Sequence, residues 1–136
     1  MEAYVSATAL IRDAKAAAEQ NADSAMHVLC KGDLNRMNGK IPFDAMQQGD
    51  EAANAVVSRY FEYLAQTIAN FVNLFRPDLV LLSGGICNQG RKLTDPLNER
   101  LGSLCFGTDK SFIPEIRCAT LGNLAGIIGA SNLVNI

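Results

Sequence analysis

Arg76-Pro77-Asp78-Leu79-Val80-Leu81-Leu82-Ser83-Gly84-Gly85-Ile86-Cys87-Asn88-Gln89-Gly90 is the stretch that decides the fold class. Leu79 to Leu82 carry no polar alternation, the pattern of a strand covered on both faces in a parallel sheet rather than of one with a wet face. Gly84 and Gly85 follow at the strand's carboxyl end, where open α/β sheets bind their ligands. Without a side chain, each can take positive φ and let another molecule come close to the main chain. Asn88 is placed to cap a following helix, whose free N–H groups and dipole favour an anion or ribose-phosphate. The stretch therefore predicts an α/β fold with a nucleotide pocket at this turn, although Gly-Gly alone reads equally as a strand ending in a tight turn.

Working outward, residues 51–75 form the longest predicted element. Ala53, Val56, Val57, Tyr60, Phe61, Leu64, Ile68, Phe71, Val72 and Phe75 trace one broad apolar face, so this is a core helix, capped by Asp50 and closed by Pro77. Upstream, Ala7, Leu10, Ile11, Ala14 and Ala18 recur at helical spacing and predict one amphipathic helix over residues 3–20. A short helix is expected around Ser24 to Cys30, with turns at Lys31-Gly32-Asp33 and Asn38-Gly39. Pro42 fits the first turn of another short helix that Gly49 ends. Downstream, Leu93, Leu97, Leu101 and Leu104 mark a helix over residues 89–105 that must accommodate Pro96. Pro114 introduces a second strand, Glu115 to Ala119, and Gly122-Asn123 opens a helix to about Leu133. The small residues Gly126, Gly129 and Ala130 of that helix would allow very close packing on a neighbour.

The chain of 136 residues is long enough for one domain with a sizeable core. Two strands cannot make the covered parallel sheet that Leu79 to Leu82 require, since such sheets usually have about four to six. The reading is therefore of a single partial domain over residues 1–136, completed by a partner or by more of the same polypeptide. Twelve basic against fourteen acidic residues, a net charge of -2, give no field to attract nucleic acid or an anionic membrane. Cys30, Cys87, Cys105 and Cys118 are widely spaced, which reads as free thiols in a reducing compartment rather than a disulfide framework. His27 is the sole histidine, so no metal cluster at short spacing is expected. No segment reaches the roughly 18 uninterrupted apolar residues of a membrane span, and the start of the chain does not read as a leader peptide. The expected location is cytoplasmic.

An ordered set of residues carries a more specific signal. It runs from Glu2-Ala3-Tyr4-Val5-Ser6-Ala7-Thr8-Ala9-Leu10-Ile11-Arg12 through Asn38-Gly39-Lys40, Phe43-Asp44-Ala45 and Gly49-Asp50, then Pro77 to Gly90, and ends in Ala119-Thr120-Leu121-Gly122-Asn123-Leu124-Ala125-Gly126-Ile127-Ile128-Gly129-Ala130. Over essentially its whole length the chain resembles the C-terminal portion of bacterial ROK-family sugar kinases, the glucokinases most closely. The resemblance implies the actin-like, ribonuclease H-like ATPase fold, in which nucleotide binds between two α/β lobes, and it assigns the missing strands to the N-terminal lobe and part of this one. Such kinases transfer the γ-phosphoryl group of ATP, with Mg²⁺, to a sugar hydroxyl, which requires positioning, charge neutralisation and a carboxylate base. The family's phosphate-binding Asp-x-Gly-Gly-Thr, its catalytic Asp and its zinc-binding cysteine cluster all lie upstream of the matching portion. The chain alone is accordingly expected to have no catalytic residue, no kinase activity and no zinc ligands.

By the same resemblance, Glu2 accepts hydrogen bonds from sugar hydroxyls, a task suited to an acceptor-only carboxylate. Gly84, Gly85 and Ile86 match the adenosine-binding turn, and Arg12 lies near the nucleotide. Read without the family, Glu2 is a helix-start glutamate favoured by the dipole and Arg12 a solvated helix charge. Two positions depart from the family pattern: Ser83 stands where the first of three glycines is common, and Leu124 where an Asp often follows Gly-Asn. The resemblance implies a hexose kinase feeding glycolysis, commonly a homodimer. It leaves as the alternative a ROK-type transcriptional repressor, which keeps the sugar-binding domain behind a DNA-binding helix-turn-helix.

Overall fold

The computed structural model describes residues 2–107, 112–121 and 124–133. Its contacts divide the chain into two compact units, Met1–Thr67 and Ile68–Ile136. Both take residues from one long helix.

The first unit is all helical. Helix α1 (Glu2–Val5) is a single turn, followed by α2 (Ala7–Gln20), α3 (Ala25–Leu29), α4 (Ile41–Gln47) and the larger part of α5 (Glu51–Phe75). The single helix expected over residues 3–20 is broken at Ser6, whose φ of -78° and ψ of 158° are extended and whose side chain accepts from Ala9 N–H at 3.0 Å. A serine that satisfies an orphan donor starts a new helix, and the apolar periodicity running across residues 3–20 hides it. Ala9, Leu10, Ala14 and Ala18 form the buried stripe of α2. The short helix after Ser24, the turn at Asn38-Gly39 and α4 with Pro42 in its first turn follow the sequence reading. The Asn38 side chain accepts from the N–H groups of Lys40 and Ile41 at 2.9 and 3.3 Å. Gly49, at φ 85°, then ends the segment.

Asp50 caps α5 as expected, one carboxylate oxygen accepting from Ala53 N–H at 2.8 Å. Its other oxygen accepts from Ser24 Oγ and Ala25 N–H, both at 2.6 Å, so it also holds the start of α3. Met26, Cys30, Phe43, Val57 and Phe61 pack this core, with the Phe43 and Phe61 rings edge to face at 5.9 Å.

The second unit contains the end of α5, then β1 (Leu79–Leu82), α6 (Arg91–Leu104), β2 (Glu115–Cys118) and α7 (Leu124–Leu133). The strands pair in parallel, Leu79 opposite Glu115 and Leu82 opposite Cys118, and Ala119 N–H donates to Leu82 O at 2.7 Å. Leu93, Leu97 and Leu101 of α6 are fully buried, as is Ile116 of β2. As expected, α6 accommodates Pro96, in its second turn.

Four expectations change here. Leu79 and Leu81 are not covered on both faces but 41% and 58% exposed, because among the described residues only two strands form the sheet. Asn88 does not cap α6: it sits in a 3-10 turn, Gly85–Gln89, and the helix starts after Gly90, whose φ of 54° and ψ of -127° suit glycine. Phe71 and Phe75 leave the buried face of α5 and stack on each other, exposed, with centroids 6.1 Å apart. No heavy atom stands within 4 Å of a Cβ built on Gly126 or Gly129, so α7 has no close-packed neighbour among the described residues. Gly122 and Asn123, expected to open α7, lie outside those residues.

Candidate functional site

Each unit carries one group of the residues singled out from the sequence, and each group is described by itself.

In the first unit, α1 is held in place through α5. Tyr60 Oη donates to the carbonyl of Val5 at 3.1 Å, and the rings of Tyr4 and Tyr63 meet at 5.4 Å. The break at Ser6 leaves a shallow concavity of about 320 Å³ between the turn and the helix, lined by Glu2, Ala3, Ser6, Thr8, Ala9 and Arg12. Glu2 and Arg12 thus share one surface hollow. The Glu2 carboxylate is exposed, free to accept from a hydroxyl-rich ligand. Arg12 is already engaged: its guanidinium lies 2.8 Å from Asp13, whose other oxygen meets Arg59 at 3.4 Å. With five N–H donors, of which those on Nε and Nη2 face Asp13, the exposed guanidinium can pair with Asp13 and still offer donors to a second anion.

In the second unit, β1 runs out through Ser83 to Gly84, whose φ of 106° and ψ of 175° fall in a region essentially reserved for glycine. No heavy atom lies within 4 Å of a Cβ built on Gly84 or Gly85, so the main chain of the turn is open to close approach. The turn is tied internally by Cys87 N–H to Gly84 O at 3.0 Å and Gly90 N–H to Cys87 O at 2.9 Å. Gly84, Gly85 and Ile86 therefore form a preshaped backbone surface at the carboxyl end of a parallel strand, where such sheets take ligands.

The sequence reading did not bring Cys87 and Cys118 together, and the structure does. Burial, and after it the neighbouring Cys118 that ends β2, pushes the Cys87 thiol up to about 11. It also missed Asn98, whose side chain accepts from Ile116 N–H at 2.8 Å and donates to Ile116 O at 3.1 Å. One amide thereby occupies the hydrogen-bonding edge of β2 that faces away from β1. Neither pair has a local sequence signal, since each joins residues from separate elements.

The remaining polar features are structural. A concavity of about 380 Å³ around Asn21, Asp23, Ser24 and Asp50 is built on groups used for capping. Burial alone would raise the Asp50 carboxyl, but hydrogen bonds from Ser24 Oγ and from the N–H groups of Ala53, Ala25 and Ala52 outweigh it and hold it below its ordinary value. The His27 ring meets the carbonyl of Ala18 at 2.9 Å. Among the described residues there is no group of three or more His, Cys, Asp or Glu side chains that could hold a metal ion. No helix among them is long and apolar enough to cross a membrane.

The chain matches the ROK family over residues 1–136. It is 31% identical over 136 residues to a glucokinase of Thermotoga maritima, a match covering 98% of this chain and 42% of that protein. To an N-acetyl-D-glucosamine kinase of Shigella flexneri it is 37% identical over 86 residues, covering 63% of this chain and 27% of the relative. A crystal structure of a ROK family glucokinase from Streptomyces griseus, in complex with glucose and AMPPNP, superposes with a TM-score of 0.83 at 28% identity, covering 97% of this chain and 43% of that one. The chain thus spans less than half the length of the glucokinases it matches. With a match running from its first residue to its last, the chain belongs to the ROK family.

Proposed function

We propose that the chain is the C-terminal part of an ATP-dependent hexose kinase, glucokinase-like, with the actin-like ATPase fold and one partial domain over residues 1–136. The observation that carries this reading is the open Gly84-Gly85 turn at the carboxyl end of β1, in a chain similar along its whole length to glucokinases. The relative from Streptomyces griseus was solved with glucose and AMPPNP, which supports a sugar and ATP as the ligands.

In this reading the backbone of Gly84, Gly85 and Ile86 receives the adenosine end of ATP, with no Cβ to hold it off. Glu2 accepts hydrogen bonds from sugar hydroxyls. Arg12 offers its remaining guanidinium donors to the nucleotide. Mg²⁺ bound with ATP would supply charge neutralisation for phosphoryl transfer, and the described residues hold no cluster of three metal-ligating side chains for it. The base that takes the hydroxyl proton belongs to the remaining polypeptide, so this chain by itself transfers no phosphoryl group. The rest of the sheet adds to the open edge of β1, since Asn98 occupies the far edge of β2 at Ile116. The assembled enzyme is a cytoplasmic homodimer.

Glu2→Gln in the complete kinase tests the sugar role. It keeps the size of the side chain but gives up the charge that strengthens hydrogen bonds by roughly a factor of two. A rise in sugar KM of about tenfold with ATP KM unchanged is expected. An unchanged sugar KM would remove Glu2 from the site.

A further inference from the structure

Asp13 has no part in the proposed function, yet it stands between two arginines of the first unit. On α2 its Oδ1 accepts from Arg12 Nε at 2.8 Å and lies 2.8 Å from Arg12 Nη2. Its Oδ2 accepts from Arg59 Nη2, on α5, at 3.4 Å. The Asp13 side chain is 26% exposed against 57% and 54% for Arg12 and Arg59, so the carboxylate is the fixed member and the arginines gather on it. Adjacent residues of a helix do not face each other, and the Arg12 stem therefore bends round α2 to reach Asp13 instead of extending into water. A guanidinium is a rigid plane: once its Nε and Nη2 edge is held, the direction of its Nη1 end is set as well. Arg12 also lines the hollow that it shares with Glu2.

We propose that Asp13 is a positioning residue of the nucleotide site: it holds the Nε–Nη2 edge of Arg12 so that the free Nη1 end is presented to a phosphate of the nucleotide. The proposal rests on the reading that Arg12 serves the nucleotide; the hold of Asp13 on Arg12 does not. An exposed arginine stem left to itself samples many rotamers, and a ligand that engages it must offset the loss of that freedom. Asp13 restricts the stem before any ligand arrives, and Arg59 steadies Asp13 from α5. The donors that remain on Arg12 suit the oxygens of a phosphate, which a guanidinium can meet with two parallel N–H···O bonds. Charge works in the opposite sense. Asp13 offsets part of the positive charge of Arg12 and Arg59, so by charge alone its removal would tighten the binding of an anion. The direction of the change therefore separates positioning from charge.

The test titrates the complete protein with a non-hydrolysable ATP analogue and with glucose, as wild type, Arg12→Ala, Asp13→Ala, Asp13→Asn and the Arg12→Ala/Asp13→Ala double variant. Asp13→Ala should weaken analogue binding about fivefold, within the range of couplings between residues in contact, and leave glucose binding unchanged. Asp13→Asn loses the same charge but keeps an acceptor oxygen for Arg12, so it should recover most of that affinity. In the Arg12→Ala background, Asp13→Ala should add no further loss, because it acts only through Arg12. Exchange of the Arg12 Nε–H, followed by NMR without ligand, should be slower in wild type than in Asp13→Ala. Equal exchange in the two would overturn the hold itself. Tighter or unchanged analogue binding by Asp13→Ala, while Arg12→Ala weakens it, would overturn the positioning role. A parallel loss of glucose affinity would do the same, since it marks damage to the fold rather than to the aim of Arg12. Analogue binding unmoved by Arg12→Ala would instead sink the nucleotide role of Arg12, and the proposal with it, whatever the exchange shows.

Discussion

Asp50→Ala removes the side chain on which two helix starts depend. One carboxylate oxygen accepts from Ala53 N–H at 2.8 Å in α5, and the other from Ser24 Oγ and Ala25 N–H at 2.6 Å in α3. Loss of a single N-cap costs about 1 kcal/mol, with a range of about 0.5–2, and hydrogen bonds to charged acceptors lie at the upper end of their range. With two helix starts released, we expect destabilisation of about 2–4 kcal/mol. At roughly 4 °C per kcal/mol for a chain of this size, Tm falls by about 8–16 °C. Asp50→Asn separates the two roles: its amide oxygen can keep the bond from Ala53, but its amide nitrogen cannot accept from Ser24 or Ala25, so about half the loss remains. The folded Asp50 carboxyl is lowered. Its contribution is therefore fully present above the unfolded carboxylate pKa, near 4, and is lost as pH falls through the lower folded value. Wild type should show that acid limb, and Asp50→Asn should lack this share of it. Thermal denaturation from pH 7 down to pH 2, with amide exchange at Ala25 and Ala53, measures both. A Tm change under about 2 °C in Asp50→Ala, with those two amides still protected, would refute the double-cap reasoning.

Asn98→Ala strips both partners from Ile116; with about 1–3 kcal/mol for each of the two buried groups left unsatisfied, a loss of about 2–6 kcal/mol and faster exchange of the Ile116 amide are expected in denaturant melts and exchange mapping. Gly84→Ala meets no steric neighbour but must hold φ 106°; it should cost about 1–3 kcal/mol of backbone strain and raise the nucleotide KM of the complete kinase, which steady-state kinetics would detect. Leu97→Ala, in a fully buried position on α6, should cost about 2–5 kcal/mol, read from the denaturation midpoint.

Helix α5 and the turn chemistry around Gly49 and Asp50 were legible because their signals are local: a long apolar period, a capping carboxylate and a glycine at positive φ. The strand at Leu79–Leu82 was legible as a strand, but its burial was not. Apolar residues record the environment of the assembled fold, and a chain spanning about 42% of its glucokinase relative leaves Leu79 and Leu81 exposed. Helix α7 fits the same explanation: Ile127 is 68% exposed on an element whose composition suits burial on all sides. Ser6 was hidden because it lies between the apolar residues Val5 and Ala7, where the sequence reads on as helix. Asn88 had the composition of a cap, but the 3-10 turn used it first. Of the candidate site, the Gly84-Gly85 turn could be read directly. The nearness of Cys87 to Cys118 could not, because it depends on the register of two strands thirty-six residues apart, Leu79 against Glu115.

Coupled ADP release by the complete protein, with ATP, Mg²⁺ and a small panel of hexoses led by glucose, tests the proposed function most directly. Turnover with a hexose, absent when the 136-residue chain is assayed alone, is the expected result. Sugar binding without ADP release from the complete protein would contradict it and favour a sugar-sensing repressor.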